Sequence, residues 1–294
     1  MEFRTLRAFV EVVRQGGFSQ AAKTVFATQS TVSKAVKQLE DEIGVPLLDR
    51  LGHQTRLTAV GELVFPRAVR LLAERDDLIA EVAALRGLKR GALRLGLPPV
   101  GSSILFAPLF AVYRKRYPDI DIRLVEYGSE QLEGVLMSGE IELAASLLPV
   151  AEGFEWQEIR REPLVVMIAA DQPLAGRRSL TLPALRELPF LLFETGFALN
   201  RIVLDACRRH GFEPTVVARS SQIDFLTELV ATGLGIAFLP RLIAEQRQHR
   251  RVRYVPLADP HTDWHLALIW RRGAYLSPAA TAWLELAREG AGRP

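Results

Sequence analysis

One cysteine in 294 residues, Cys207, removes two architectures at once: no disulfide can close within the chain and no cysteine-based zinc site can form. Long apolar runs are missing too, and none approaches the roughly 20 residues of a membrane span. The opening MEFRTLRAFVEVVRQ mixes charge and hydrophobe where a signal peptide would carry a continuous apolar segment. The expectation is a cytoplasmic protein with no membrane partner. Catalytic motifs are also lacking: there is no GxxxxGK[ST] and no HExxH. Gly233-x-Gly235 runs into apolar strand residues rather than a helix start, so it fails as a dinucleotide fingerprint. His210, His249, His261 and His265 show no metal-ligand spacing and read as surface or strand positions. Neither an enzyme nor a cofactor nor a metal is expected. Net charge is small as well. A value of +3 with a pI near 9.2 permits a nucleic-acid partner without demanding one, because a local patch matters more than a total.

What is present is a soluble globular composition, with 49% hydrophobic and 24% charged residues, and a length that exceeds one ordinary core. Leu6, Phe9, Val10 and Val13 recur at helical spacing, with Arg7, Glu11 and Arg14 opposite. Gly16-Gly17 ends that helix, and Ser19 is placed to cap the next, whose Ala21 and Ala22 suit a close helix crossing. A third helix is expected from about Thr28 to Glu42, with Val32, Val36, Leu39 and Ile43 facing inward. Its other face carries Gln29, Ser30, Ser33, Lys34 and Lys37, with Thr31 nearby. Small polar groups at a helix start with cations further along suit base edges and phosphates of double-stranded DNA. An ordinary solvated face would have a similar composition.

After Gly44-Val45-Pro46, LLDRLGHQTRLT reads as two short strands about a turn, with Arg50, His53 and Arg56 on or beside it. A basic hairpin there is a wing, able to reach the backbone or minor groove. Residues 1–58 hold eight Lys/Arg against six Asp/Glu, but Glu40, Asp41 and Glu42 bunch at the far end of the third helix. Next comes one long helix to about Leu88, in which Val64, Ala68, Leu71, Arg75, Leu78, Val82 and Leu85 alternate steps of four and three. That is a coiled-coil seam. It calls either for a second copy of the chain or for burial on the chain's own domain. Pro66 should bend or locally break the helix, and RGLKRG (86–91) reads as a hinge.

From 91 onward, strands and helices alternate as in an open α/β protein. Strands are expected at 92–97, 121–127, 141–147, 164–169, 190–193, 215–220, 235–239 and 264–270. Helices are expected up to Tyr117, and over 129–138, 198–210, 223–232 and 277–289. The run Arg247 to Arg253 reads as a solvated loop. Ligands of such sheets bind outside the carboxyl ends of the strands, here Pro98–Ser103, Tyr127–Ser129, Leu147–Pro149, Glu194–Phe197 and Ser220–Gln222. Ser102, Ser103, Ser129 and Gln222 offer polar contacts, Phe193 and Phe197 apolar walls, and loop N–H groups suit an organic anion. Each serine could equally be a helix cap.

The N-terminal segment resembles the winged helix-turn-helix and linker helix of LysR-type transcriptional regulators. Phe18-Ser19-Gln20-Ala21-Ala22, Thr28-Gln29-Ser30-Thr31-Val32-Ser33, Gln38-Leu39-Glu40, Gly44-Val45-Pro46-Leu47, Arg50, and Arg56-Leu57-Thr58 with Gly61 carry the likeness. Leu48 replaces the usual Phe, a packing change of little consequence, while Lys34 replaces a common Arg and His53 a frequent wing arginine, which alters contacts there. Gly91 to Gly96, FAVYRKRYP (110–118), Gly139 to Ala144 and Leu229 to Pro240 are similar to the family's effector domain, itself like periplasmic binding proteins. The resemblance implies a winged helix-turn-helix domain (1–58), a dimerising linker helix with hinge (59–90) and an α/β effector domain (91–294). Two subdomains are expected in the last, I at about 91–162 and 269–294 and II at about 163–268. It further implies a homodimer or homotetramer on a two-fold symmetric operator, modulated by a small-molecule effector. A transport-type binding protein would fit the second half alone and would need a signal peptide.

Overall fold

The computed structural model describes residues 1–49, 55–85 and 91–291. Arg50 and His53 of the expected wing, and the expected hinge at 86–90, lie outside the described residues. Two compact units divide the chain, residues 1–88 with the short segment 137–141, and the remainder.

The N-terminal unit contains α1 (Phe3–Arg14), α2 (Phe18–Thr24), α3 (Gln29–Ile43), β1 (Leu48–Asp49), β2 (Arg56–Leu57) and α4 (Ala59–Leu85). Leu6, Phe9 and Val10 of α1 bury against Val32, Val36 and Leu39 of α3, and the fully or nearly fully buried Ala21 and Ala22 let α2 approach closely. Val13 and Ile43 are only half-buried at the edge of this core. Ser19 is not the cap expected of it. Helix α2 begins one residue earlier, with Gly17 at the N-cap, and the Ser19 hydroxyl donates to Gln29 Oε1 at 3.1 Å instead. β1 and β2 pair antiparallel, Leu48 with Leu57 and Asp49 with Arg56, at the base of the wing.

Helix α4 runs 27 residues through Pro66 without the expected break; proline there forfeits one intrahelical bond near the helix start. Its seam divides in two. Ala68, with Val69 and Ala73, is buried, and Val64 and Phe65 pack on the three-helix core, Phe65 meeting Phe9 edge-on at 6.2 Å. Leu71, Leu78 and Val82 remain 42, 61 and 42% exposed. Arg75 is used within the chain, its guanidinium lying 5.8 Å from the Phe3 ring and 2.7 Å from Asp76.

The C-terminal unit follows with β3 (Gly91–Leu97), α5 (Ser102–Leu105), α6 (Ala107–Arg116), β4 (Ile120–Glu126), α7 (Ser129–Met137), β5 (Leu143–Leu147) and β6 (Phe154–Glu162). Then come β7 (Leu164–Ala169), β8 (Phe190–Leu192), α8 (Ala198–Arg209), β9 (Val216–Arg219), α9 (Ile223–Ala231), β10 (Ala237–Pro240), α10 (Arg241–Glu245), β11 (Val252–Pro256), β12 (Trp264–Arg271) and α11 (Pro278–Ala291). One sheet has the order β4-β3-β5-β12-β6, with β3 parallel to β4 and β5, and β12 antiparallel to its neighbours. The other side has β10-β7-β11, all antiparallel, and the parallel pair β8-β9, joined by a bridge from Phe190 to Ile236. The chain crosses between sheets at Glu162–Leu164, where the buried Glu162 carboxylate accepts from Arg160 Nε at 2.8 Å and lies 3.8 Å from Arg241.

α10 has no counterpart among the expected helices, and three strands differ from expectation. β6 has no counterpart among the expected strands; FEWQEIRRE is mostly polar because it is an edge strand in which only Phe154, Ile159 and Glu162 are buried. β11 emerges from the end of the run that reads as a solvated loop. β12 lies whole within the first sheet, so the second crossing precedes Trp264, rather than falling between residues 268 and 269.

Candidate nucleic-acid interface and ligand cleft

Helix α3 owes its start to Thr28, whose hydroxyl accepts from the Thr31 N–H at 3.2 Å and lies 2.9 and 2.8 Å from the Ser30 and Thr31 hydroxyls. Gly44, at φ +85°, ends it and returns its N–H to the Glu40 carbonyl. At 100° per residue, Gln29, Ser33, Lys37, Ser30 and Lys34 span a sector of about 140°, and Thr31 falls outside it. Val32, Ala35, Val36 and Leu39 fill the opposite, buried side. All of the polar set except Ser33, which is half-buried, are exposed, and Lys34 and Lys37 have no ion-pair partner among the described residues. A helix pinned to its core along one side therefore presents amide, hydroxyls and two ammonium groups along the other.

The wing is anchored by residues whose role has no local sequence signal. Glu40 is not merely part of a distal acid cluster: its Oε1 accepts from the Leu47 and Leu48 N–H groups at 2.8 and 3.2 Å. Thr58 donates to the Pro46 carbonyl at 2.9 Å and accepts from the Gly61 N–H at 2.9 Å, so it fixes the turn and starts α4 together. Any side chain at Gly61 would collide with the Leu47 carbonyl oxygen. Arg56 stands exposed on β2.

In the C-terminal unit two of the five strand-end loops, 127–129 and 194–197, meet directly. A Cβ on Gly128 would lie 2.5 Å from the Gly196 oxygen, and the Glu130 N–H donates to that same oxygen at 3.2 Å. Arg201 donates to the Pro149 carbonyl at 3.3 Å, and the Ser220 N–H to the Leu192 carbonyl at 3.1 Å. Gly101, at φ +96°, lies directly on the buried Trp264 ring, near Ile243, where a Cβ would not fit. Asn200, 7% exposed, clamps the β8–α8 loop: its Oδ1 accepts from the Phe193 N–H at 3.0 Å and its Nδ2 donates to the Phe193 and Glu194 carbonyls. Arg219 adds a bond to the Phe193 carbonyl at 3.2 Å. Asn200, Arg219 and Trp264 are not legible as site residues in the sequence, because partners so distant along the chain leave no local pattern.

The expected ligand contacts fare unevenly. Ser102 and Ser103 are the first residues of α5 rather than its cap, and the Ser102 hydroxyl donates to the Pro98 carbonyl. Ser129 begins α7 and is 4% exposed, whereas Gln222 is exposed at the α9 N-cap without capping it. Phe193 and Phe197 stack face to face at 5.2 Å and are 3 and 8% exposed, so they close the core rather than stand as open walls. The N–H of Glu130, just beyond the expected 127–129 loop, is already taken by the Gly196 carbonyl.

Comparison with known proteins fits both halves. Residues 3–62 match the family described as bacterial regulatory helix-turn-helix protein, lysR family, and residues 86–292 match the LysR substrate binding domain. The chain is 35% identical over 286 residues to the uncharacterized HTH-type transcriptional regulator YwbI of Bacillus subtilis, covering 97% of this chain and 95% of that one. It is 33% identical to a probable hydrogen peroxide-inducible genes activator of Mycobacterium leprae, covering 81 and 78%. Among solved structures, a full-length OxyR point variant of Pseudomonas aeruginosa superposes with a TM-score of 0.75 at 25% identity, covering 99 and 94%. A helix-turn-helix presenting a polar, basic face, joined to a two-sheet ligand-binding unit, identifies the chain as a member of the LysR family of transcriptional regulators.

Proposed function

We propose that α3 is laid into the major groove with Gln29, Ser30 and Ser33 toward base edges and Lys34 and Lys37 toward phosphates. Thr31 supports the helix start, and Arg56, with Arg50 and His53, flanks the groove from the wing. The observation that carries this reading is the division of α3 into a wholly apolar buried side and a polar sector holding two lysines without ion-pair partners among the described residues. Two copies of the chain associate through the exposed part of the α4 stripe, which presents two such helices to a two-fold symmetric operator. Pairs of dimers then form tetramers. A small organic anion enters between the two sheets, contacting Ser102, Ser103, Ser129 and Gln222 and opening the Phe193–Phe197 stack. Its differential affinity for open and closed arrangements shifts the packing of subunits and the DNA bend they favour. The domain division that goes with this reading is 1–58, 59–90 and 91–294, with the second return to the first sheet placed before Trp264.

The peroxide response in the name of the Mycobacterium leprae relative is not extended to this chain. Cys207 is wholly buried, and burial first, then the Asp259 charge, pushes its thiol up to about 11, so little thiolate is available to react at neutral pH.

Replacing Ser33 with Ala should reduce discrimination between operator and random DNA. Replacing Lys37 with Ala should weaken both and lower the salt slope by about 1. Fluorescence anisotropy across a salt series separates the two, and equal effects of both changes on both DNAs would overturn the base-reading assignment.

A further inference from the structure

Between α10 and β11 the chain places Arg247, His249, Arg250, Arg251 and Arg253 within seven residues. They do not spread over a convex surface. Arg247, His249, Arg250 and Arg253, with Tyr254, line a cavity of about 550 Å³ to which none of the five strand-end loops contributes.

The charge balance there is lopsided. Arg247 lies 3.5 Å from Asp224, and His249 lies 3.3 Å from Glu228, both acids on α9 and both largely exposed. The side chains of Arg250, Arg251 and Arg253 have no ion-pair partner among the described residues. Two polar atoms in the same wall are buried without a hydrogen bond, the Tyr254 hydroxyl and Arg247 Nε, the latter being the atom that faces Asp224 across the 3.5 Å ion pair. A buried donor left unpaired is costly, and these two are donors, as are all the guanidinium N–H groups beside them. An oxyanion with several acceptor oxygens would satisfy them together and offset the guanidinium charge, which a neutral acceptor would leave uncompensated and a cation would oppose. A planar guanidinium fork also matches phosphate geometry.

We propose that this cavity binds a phosphate-class anion, a phosphorylated small molecule, as a site separate from the effector cleft. Val252 pairs with Ala169 at one end of β7, and Pro256 pairs with Val165 near the Glu162–Leu164 crossing. Occupancy at the start of β11 is thereby connected along one strand to the point where the two sheets join.

The test is isothermal titration calorimetry of inorganic pyrophosphate into the full-length protein, with sodium chloride matched in ionic strength as the reference. Saturable binding of one anion per chain is expected. R250A/R253A should weaken it by about tenfold or more, Y254F by a few-fold, and Ser102→Ala should leave it unchanged. Because the replaced arginines are exposed, the double variant should keep its fold and its operator binding, which separates failure here from failure of the DNA-reading assignment. No saturable heat beyond the chloride reference would overturn the proposal. So would undiminished binding in the double variant, or a double variant that loses only salt-sensitive affinity for random DNA.

Discussion

Leu78→Asp tests whether the exposed half of the α4 stripe holds two chains together. Full burial of a leucine side chain is worth about 1.5–3 kcal/mol. Leu78 is 61% exposed in the isolated chain, so docking a second copy over it would recover about 1–2 kcal/mol from each protomer. A symmetric seam counts the residue twice, giving about 2–4 kcal/mol for the pair, and two carboxylates brought together would add repulsion. The dimer dissociation constant should therefore weaken by about 30- to 1000-fold. Neighbouring Leu71 and Val82, each 42% exposed, set the expected direction for a second variant at either position. Sedimentation velocity over a dilution series reads the constant directly. Circular dichroism at high concentration checks that α4 itself survives, which it should, because Val64, Phe65 and Ala68 anchor its first half to the three-helix core. An unchanged dissociation constant with intact helicity would refute the reasoning and leave the stripe without a role in association.

Two other outcomes follow from buried polar groups. Asn200→Ala should destabilise the full chain by about 1–3 kcal/mol, because it strands the Phe193 N–H, while the Phe193 and Glu194 carbonyls keep Arg219 and the Phe197 N–H; a urea midpoint within error of wild type would mean that the loop finds other partners. For Cys207, the folded thiol is held up at about 11 against an unfolded value of about 8.5, so the neutral form is favoured by folding. Its contribution is complete below the unfolded value and is lost as pH rises from about 9 through 11. Wild type should lose more stability over that window than Cys207→Ala, and a parallel decline in the two proteins would contradict the burial argument.

Much of this molecule can be read without coordinates where the signal is local. Periodic apolar residues mark α1 and α3, because a helix that buries one side must repeat its hydrophobes every three or four positions, and the expected bounds of α3 and α11 fall within one or two residues of those observed. Thr28 and Gly44 mark the ends of α3 for equally local reasons, a side-chain oxygen facing free N–H groups at one end and a left-handed turn at the other. Local signals also mislead. Ser19 has a capping side chain, but the glycine two positions before it already occupies the cap position and its hydroxyl reaches Gln29 instead. The edge strand β6 is hidden because an edge strand with an exposed side needs few apolar residues.

The sequence by itself determined the family, the order of most elements and the polar sector of α3, since each depends on residues close together along the chain. Tertiary structure alone decided the rest. It divided the α4 stripe into a half buried on its own core and a half left bare, a distinction that a uniform three-four repeat cannot encode. It closed Phe193 on Phe197 and tied the loop behind them to Asn200 and Arg219. It also buried the Tyr254 hydroxyl and Arg247 Nε without hydrogen bonds around one cavity in a stretch that reads, residue by residue, as a solvated basic loop. Burial and pairing are properties of what surrounds a group in space, and the chain brings those surroundings from positions that no local pattern connects.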